Sequence, residues 1–270
     1  MFGFSRSFSS GMGSGSQGKL VTSSATADTL GSAATLISST EEDSVWIDVA
    51  VTDYDFVAGN PVDFLMDILV DSEIAIEGFI FSSDNSEANY SRPKISLPLR
   101  IAAGSQVDAQ LQSDTASADA VNVIIQLFVP SPRSFRGYGE VVSLGVDKTN
   151  TRSTIAPDPG GTINTKGAWT AIEASSEGFH GFCLSFNANG NTGRDSANWV
   201  YDIGVSTASG TVDVIAADIP VNSTSSELME GDGGFKWIEI PEGVETWIRC
   251  ASEENDATDR LNSVVFHGAK

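Results

Sequence analysis

The chain contains itself twice, and this limits its fold more than any other feature. Shifted by 135 positions, Leu65–Ser72 (LMDILVDS) falls on Val200–Thr207 (VYDIGVST), placing Asp67 on Asp202, Ile68 on Ile203 and Val70 on Val205. The same shift sets Thr35 on Thr170, Ile37 on Ile172 and Val49 on Leu184. Further on the register becomes 139. Leu99–Asp114 (LRIAAGSQVDAQLQSD) then lies on Ile238–Glu253 (IEIPEGVETWIRCASE), with Ile101 on Ile240, Gly104 on Gly243 and Ser113 on Ser252. Ile125 continues onto Val264 and Leu127 onto Phe266. Two collinear patches with one small change of register imply duplication of a single unit, the extra residues being absorbed in a loop.

Each copy reads as antiparallel β. Val45, Ile47, Val49 and Val51 alternate along one segment, and Phe182, Leu184 and Phe186 along another. Alternation rich in branched and aromatic residues marks half-buried strands, and no stretch of any length carries helical periodicity. Turn clusters such as Ser82–Ser91 and Asn187–Gly193 separate the strands. Gly104 and Gly243 each turn one strand into the next, and Pro241, having no N–H, belongs at a strand end or edge. About seven or eight short strands fit in each copy, the size of a Greek-key or jelly-roll sandwich. The expected organisation is all-β: a flexible arm over 1–22, a β-sandwich over 23–129, a linker over 130–162 marked by Pro130, Pro132, Pro157 and Pro159, and a second β-sandwich over 163–270.

The charge is lopsided, with a formal net value of −21. Residues 29–129 hold sixteen acids and three bases and residues 164–268 sixteen acids and five bases, so the two copies carry the negative charge. Such surfaces repel phosphate backbones, and no basic stripe offsets them, so no nucleic-acid partner is expected. No apolar run approaches a membrane span, and no membrane partner is expected. Cys183 and Cys250 lack the clustering of a zinc site or a disulfide scaffold; both fall in expected strands of the second copy and read as buried thiols, a bridge between them remaining open.

Chemistry is sparse. His180 and His267 lie near the first and last strands of the second copy, which can be neighbours in a sandwich, yet no GxSxG-type nucleophile accompanies them and they read as surface or strand-end residues. Neither cysteine has the positive, partly exposed setting of a reactive thiol. Asn187–Asn198 (NANGNTGRDSAN) places oxygens on alternate residues but lacks the terminal bidentate Glu of a calcium loop. The expectation is a protein without catalytic residues, cofactor or metal. Of the five tryptophans, Trp199, Trp237 and Trp247 lie in strands, where a core role is the default. Trp247 aligns with Asp108, which should face solvent, so Trp247 is the candidate interface or glycan contact.

The leader, MFGFSRSFSSGMGSGSQGKL, has too few branched apolar residues to fold alone and should be disordered until something orders it. Phe2, Phe4, Arg6 and Phe8 are then the candidate partner-docking residues, burying rings in a groove of the partner. With its Ser/Gly-rich leader, tandem β units, acidic character and the strand–glycine–strand unit at LPLRIAAGSQVDAQLQSD and WIEIPEGVETWIRCASE, the chain resembles tailed-bacteriophage virion proteins: capsid decoration proteins, head-spike bases and tail adaptors. The resemblance implies a non-enzymatic virion component assembled in the host cytoplasm. It also implies homo-oligomers, trimers favoured, that contact other virion proteins such as the major capsid protein or a fibre; it assigns no functional residue. A carbohydrate-binding module on a virion or secreted protein, with a host glycan as ligand, is the alternative.

Overall fold

The computed structural model describes residues 4–9, 18–55, 62–83, 93–130, 139–187, 197–206, 211–224, 227–229, 234–253 and 263–270. Among them every regular element is a β-strand. In chain order these are β1 (Phe4–Ser9), β2 (Lys19–Thr22), β3 (Ala34–Ile37), β4 (Trp46–Asp55), β5 (Val62–Val70), β6 (Glu73–Ser83), β7 (Lys94–Leu97), β8 (Val107–Ser113) and β9 (Ala120–Pro130). There follow β10 (Val141–Leu144), β11 (Val146–Asp147), β12 (Arg152–Ser153), β13 (Thr170–Glu173), β14 (Gly181–Asn187), β15 (Ala197–Ser206), β16 (Asp213–Thr224), β17 (Glu227–Met229), β18 (Glu245–Ser252) and β19 (Ser263–Ala269). The protein is all-β, as the alternation requires.

Strand pairing stays within each half. In the first, the sheet β3–β8–β5–β6 opposes β1–β9–β4–β7, with β2 also on β9; in the second, β13–β18–β15–β16–β17 opposes β10–β19–β14. The alternating apolar residues point between the sheets. Ile47, Val49, Val51, Phe64, Met66 and Ile68 enter one core, and Phe182, Leu184, Phe186, Trp199, Tyr201 and Ile203 a second.

The duplication is written into the ladders. β5 pairs β8 through Phe64↔Ser113, Asp67↔Gln110 and Val70↔Val107; β15 pairs β18 through Trp199↔Ser252, Asp202↔Arg249 and Val205↔Thr246. Matching register shifts flank Asp67 and Asp202. Isolated bridges join Ser44 to Ile101 and Phe179 to Ile240, and Gly104 and Gly243 turn the chain at φ 88 and 82. Two alignments shift. Ala34 faces Ala109 as Thr170 faces Ile248, so Thr170 corresponds to Ala34 and not to Thr35. Val49 faces Ile125 as Leu184 faces Phe266, so the counterpart of Ile125 is Phe266 and not Val264. A two-residue slip leaves every side chain on its original face and is invisible to alternation; the one-residue slip falls on short edge strands carrying a bulge.

The leader and the linker are drawn into the sheets. β1 lies antiparallel along β9, Phe4 facing Pro130 and Ser9 facing Gln126, and β10 takes the same place along β19. Phe4, Arg6 and Phe8 therefore lie in a strand rather than a free arm, while Phe2 is outside the described residues. The physical reason is main-chain demand: the outer edge of β9 presents donors and acceptors that a strand satisfies whatever its side chains. Linker residues 146–153 form the β11–β12 hairpin, laid against the first sandwich, where Gln112 Nε2 donates to the Lys148 carbonyl and to Thr151 Oγ1.

The two sandwiches are docked. The outer face of β10–β19–β14 packs across β6 and β7 at the side of the first sandwich. Leu65 and Ile80 meet Val265 and the hairpin's Val146, and Cys183 reaches into the first core. This explains why β5, β14 and β19 are buried almost throughout: strands covered on both faces carry continuous rather than alternating apolar runs. Two cores share one seam.

Candidate functional site

The repeated bulge places an aspartate in the same setting twice. Asp67, fully buried, accepts at Oδ1 from the Gly78 N–H at 2.9 Å and at Oδ2 from Lys148 Nζ at 2.8 Å; Lys148 also pairs with Glu77 at 2.8 Å. Asp202 Oδ1 accepts from the Asp218 N–H at 3.0 Å and from Lys166 Nζ at 2.7 Å, while Oδ2 takes Arg249 Nε at 2.9 Å. Lys166 again bridges to a second acid, Asp218, at 3.0 Å. Gly78 and Asp218 both adopt positive φ, 66 and 53, which turns the N–H toward the bulge. Burial pushes the Asp202 carboxyl up, but Lys166, the Asp218 amide and Arg249 outweigh it and hold the group below the usual carboxylate range. Burial likewise pulls Lys148 down, and hydrogen bonds and charge from Asp67 and Glu77 reverse this, keeping the ammonium above its ordinary range. Each site joins two acids through one lysine, Lys148 in the turn between β11 and β12 and Lys166 in the segment before β13, and Arg249 adds a second cation at Asp202. Among the described residues no group of three or more His, Cys, Asp or Glu converges as a metal set.

His267 is the seam's buried titratable group. It sits on β19, facing the first sandwich, wholly buried, which corrects the expectation of a surface or strand-end residue; His180 is exposed. His180 stands just before β14, which pairs with the last strand β19 but is not the first strand of the second sandwich; the His180 N–H donates to the Ala269 carbonyl at 2.8 Å, and the two histidines face different surroundings. Ser143 Oγ on β10 lies 2.8 Å from His267 Nδ1, and Ser185 Oγ on β14 lies 2.9 Å from Nε2. Ser185 Oγ also accepts from the Ile80 N–H across the seam at 3.3 Å. Burial drives the imidazole pKa down to about 3, so the ring is neutral at pH 7 and one nitrogen donates while the other accepts. A Ser–His contact is the first requirement of an activated nucleophile, but both ring nitrogens are taken by serines, and among the described residues no carboxylate orients the imidazole. It acts as a neutral strut across three strands and two sandwiches. Beside it, a cleft of 270 Å³ between β6 and β10 is lined by Ile74, Ala75, Glu77, Val141, Val142 and Ser143.

Both cysteines are free and buried. Cys183 belongs to the first core and Cys250 to the second, and burial raises both thiols far above their usual range. No bridge joins them, and neither supplies thiolate. Most of the calcium-like loop, residues 188–196, lies outside the described residues; Asn187 spends its amide on the Thr151 carbonyl at 2.9 Å.

The tryptophans divide three ways. Trp199 is a core residue. Trp247 lies on the outer face of β18, half-buried between Ala171 and Gly204; its counterpart Asp108, expected in solvent, is buried, with Gln106 Nε2 on its carboxylate. Near Trp247, Trp169 leans over Gly204 and carries Arg249 on its ring at 4.4 Å. That stacking face is occupied, and the arrangement is a packed surface rather than an open platform. Trp237, expected in a core, is 41% exposed. It joins Trp46 and Phe235 in a cluster with ring centroids 4.7 to 5.8 Å apart. Because Trp46 is on β4 and the other two come from the second half, sequence inspection missed this site; Phe235 and Trp237 alternate with Lys236 as core residues would.

No family model matches the chain, and no curated protein is similar to it. Among solved structures it is similar to PNGF-II, at 7% identity and a TM-score of 0.43, covering 98% of this chain and 66% of that one, just under two thirds of its length. It is also similar to PNGase F, a glycosylasparaginase from Flavobacterium meningosepticum (10% identity, TM-score 0.31, 100% and 94% covered). A third likeness is to the tandem CBM22 domains of Paenibacillus barcinonensis Xyn10C (13%, 0.26, 88% and 82%). Nothing about this chain's activity follows from likenesses so distant.

Proposed function

We propose that this chain is a non-enzymatic structural protein of a virion, one that decorates the capsid or anchors a spike or fibre and attaches through its leader. The observation that carries the reading is β1. The leader forms the outermost strand of β1–β9–β4–β7, paired on one side with β9, and among the described residues no strand pairs with its other edge. A sheet edge ending in a short N-terminal strand suits attachment by main-chain pairing to a partner's strand. The docked, doubly buried seam supports a rigid spacer, and the buried His267 spends both ring nitrogens on serines, with no carboxylate on the ring among the described residues. Homo-oligomers, trimers favoured, would display the acidic sandwiches outward.

The test is deletion of residues 1–17, read by incorporation into particles and by thermal unfolding of the purified chain. The truncated chain is expected to unfold cooperatively yet to be lost from particles. Full incorporation of the truncated chain overturns the role of the leader, and absence of the full-length chain from purified particles overturns the virion reading.

A further inference from the structure

The aromatic cluster at the sandwich junction has no structural task that requires its exposure. Trp46 leaves the outer face of β4 beside Phe128, its cross-strand partner on β9. Phe235 meets Trp46 edge-on at 5.5 Å, and Trp237 lies over Trp46 at 5.8 Å with its plane tilted by 32°. The cluster is held in place from below. Phe235 packs against the first core, and its ring fills the space above Gly181, where a Cβ would come within 2.5 Å of it. Trp237 closes the cluster and keeps 41% of its surface in solvent.

Polar groups stand beside the rings on the same sheet face. Asp48 Oδ1 accepts from Trp46 Nε1 at 3.1 Å and from Ser96 Oγ, and Asp48 Oδ2 pairs with Lys94 at 2.7 Å. Lys94 is half-exposed, with 47% of its side chain in solvent. The geometry points to a composite binding site for a neutral pyranose sugar. The flat face of a ring, presenting C–H groups, lies on Trp237 and Trp46, while hydroxyls reach the Asp48–Ser96–Lys94 row. Three rings offer far less than the roughly 800 Å² per partner of a stable protein interface, so a protein partner is a poor fit. A net charge of −21 disfavours anionic glycans and nucleic acid. The site exists only because the sandwiches are docked, one supplying Trp46, Asp48, Lys94 and Ser96, the other Phe235 and Trp237. It is independent of the leader's role.

The test is binding of the full chain to an array of immobilised neutral, sialylated and sulfated glycans, followed by calorimetric titration of the best neutral oligosaccharide. Wild type and Trp247→Ala are expected to bind neutral glycans alike, and Trp237→Ala to lose at least tenfold in affinity with its melting temperature unchanged. Asp48→Asn, which keeps the shape and removes the charge, is expected to weaken binding while leaving the stacked ring in place. Failure to bind any neutral glycan overturns the proposal, as does preference for sulfated or sialylated glycans, or wild-type affinity in Trp237→Ala. Equal loss in Trp247→Ala moves the site to the outer face of β18 and overturns the junction assignment.

Discussion

The neutral imidazole of His267 makes stability depend on pH in a window where few other groups titrate. In the unfolded chain the ring takes up a proton near pH 6.5, whereas in the folded chain it resists until about pH 3. Between those values the unfolded state binds one more proton, so stability is full above about pH 6.5 and falls as the pH drops. Undocking the sandwiches exposes the same ring, so the linkage applies to separation of the seam as well as to global unfolding. With those two pKa values the loss between pH 7 and pH 5 is about 2 kcal/mol, and it reaches roughly 5 kcal/mol once the pH falls below the folded value. That is a large share of the roughly 5–15 kcal/mol that holds a domain. Asp202 also loses stability in acid, because its folded pKa is depressed, but that loss sets in as its carboxylate protonates, below the range in which His267 acts first. The assay is chemical denaturation of wild type and His267→Gln at pH 7, 6, 5 and 4. The variant keeps a donor and an acceptor but cannot charge. It is expected to be less stable than wild type at pH 7 and to show a flatter profile between pH 7 and 5, the gap closing by about 2 kcal/mol over that range. Parallel profiles over pH 7 to 5 would show that the ring is not held neutral and would refute the reasoning.

Two further perturbations follow from the duplicated bulge. Asp202→Ala strands Lys166 and Arg249 beside a half-buried bulge, and its cost is expected to be about 3–5 kcal/mol by denaturant titration, against well under 1 kcal/mol for Glu253→Ala at the surface. Gly78→Ala puts a Cβ 2.6 Å from Val146 at a φ of 66; the expected loss is about 1–3 kcal/mol, with faster amide exchange over residues 146–153 than elsewhere as the hairpin lifts.

How much was legible depended on the range of the interaction. Period-two alternation named β4 and β18 because their outer faces are only half-buried, whereas β14, read as half-buried from Phe182, Leu184 and Phe186, is covered on its other face by the first sandwich; the strand–glycine–strand units were legible because a left-handed turn needs glycine locally. The Asp67–Asp202 match stood out in the sequence, but its purpose did not: the lysines that neutralise those carboxylates lie 81 and 36 residues away in segments with no pattern. The same holds for Trp237. Its neighbours alternate no differently from those of a core tryptophan, and only the tertiary structure seats it over Trp46 of β4 with 41% of its surface in solvent.

By itself, then, the sequence determined the all-β class and the duplicated unit, since both rest on contacts between residues a few positions apart and on side chains that alternate between faces. The tertiary structure alone decided the docking of the two sandwiches, the burial of His267 between Ser143 and Ser185, the capture of the leader as β1, and the joining of Trp46 to Phe235 and Trp237. Each of these is settled by which surfaces lose water against one another, and that choice depends on the whole folded shape rather than on any local run of residues.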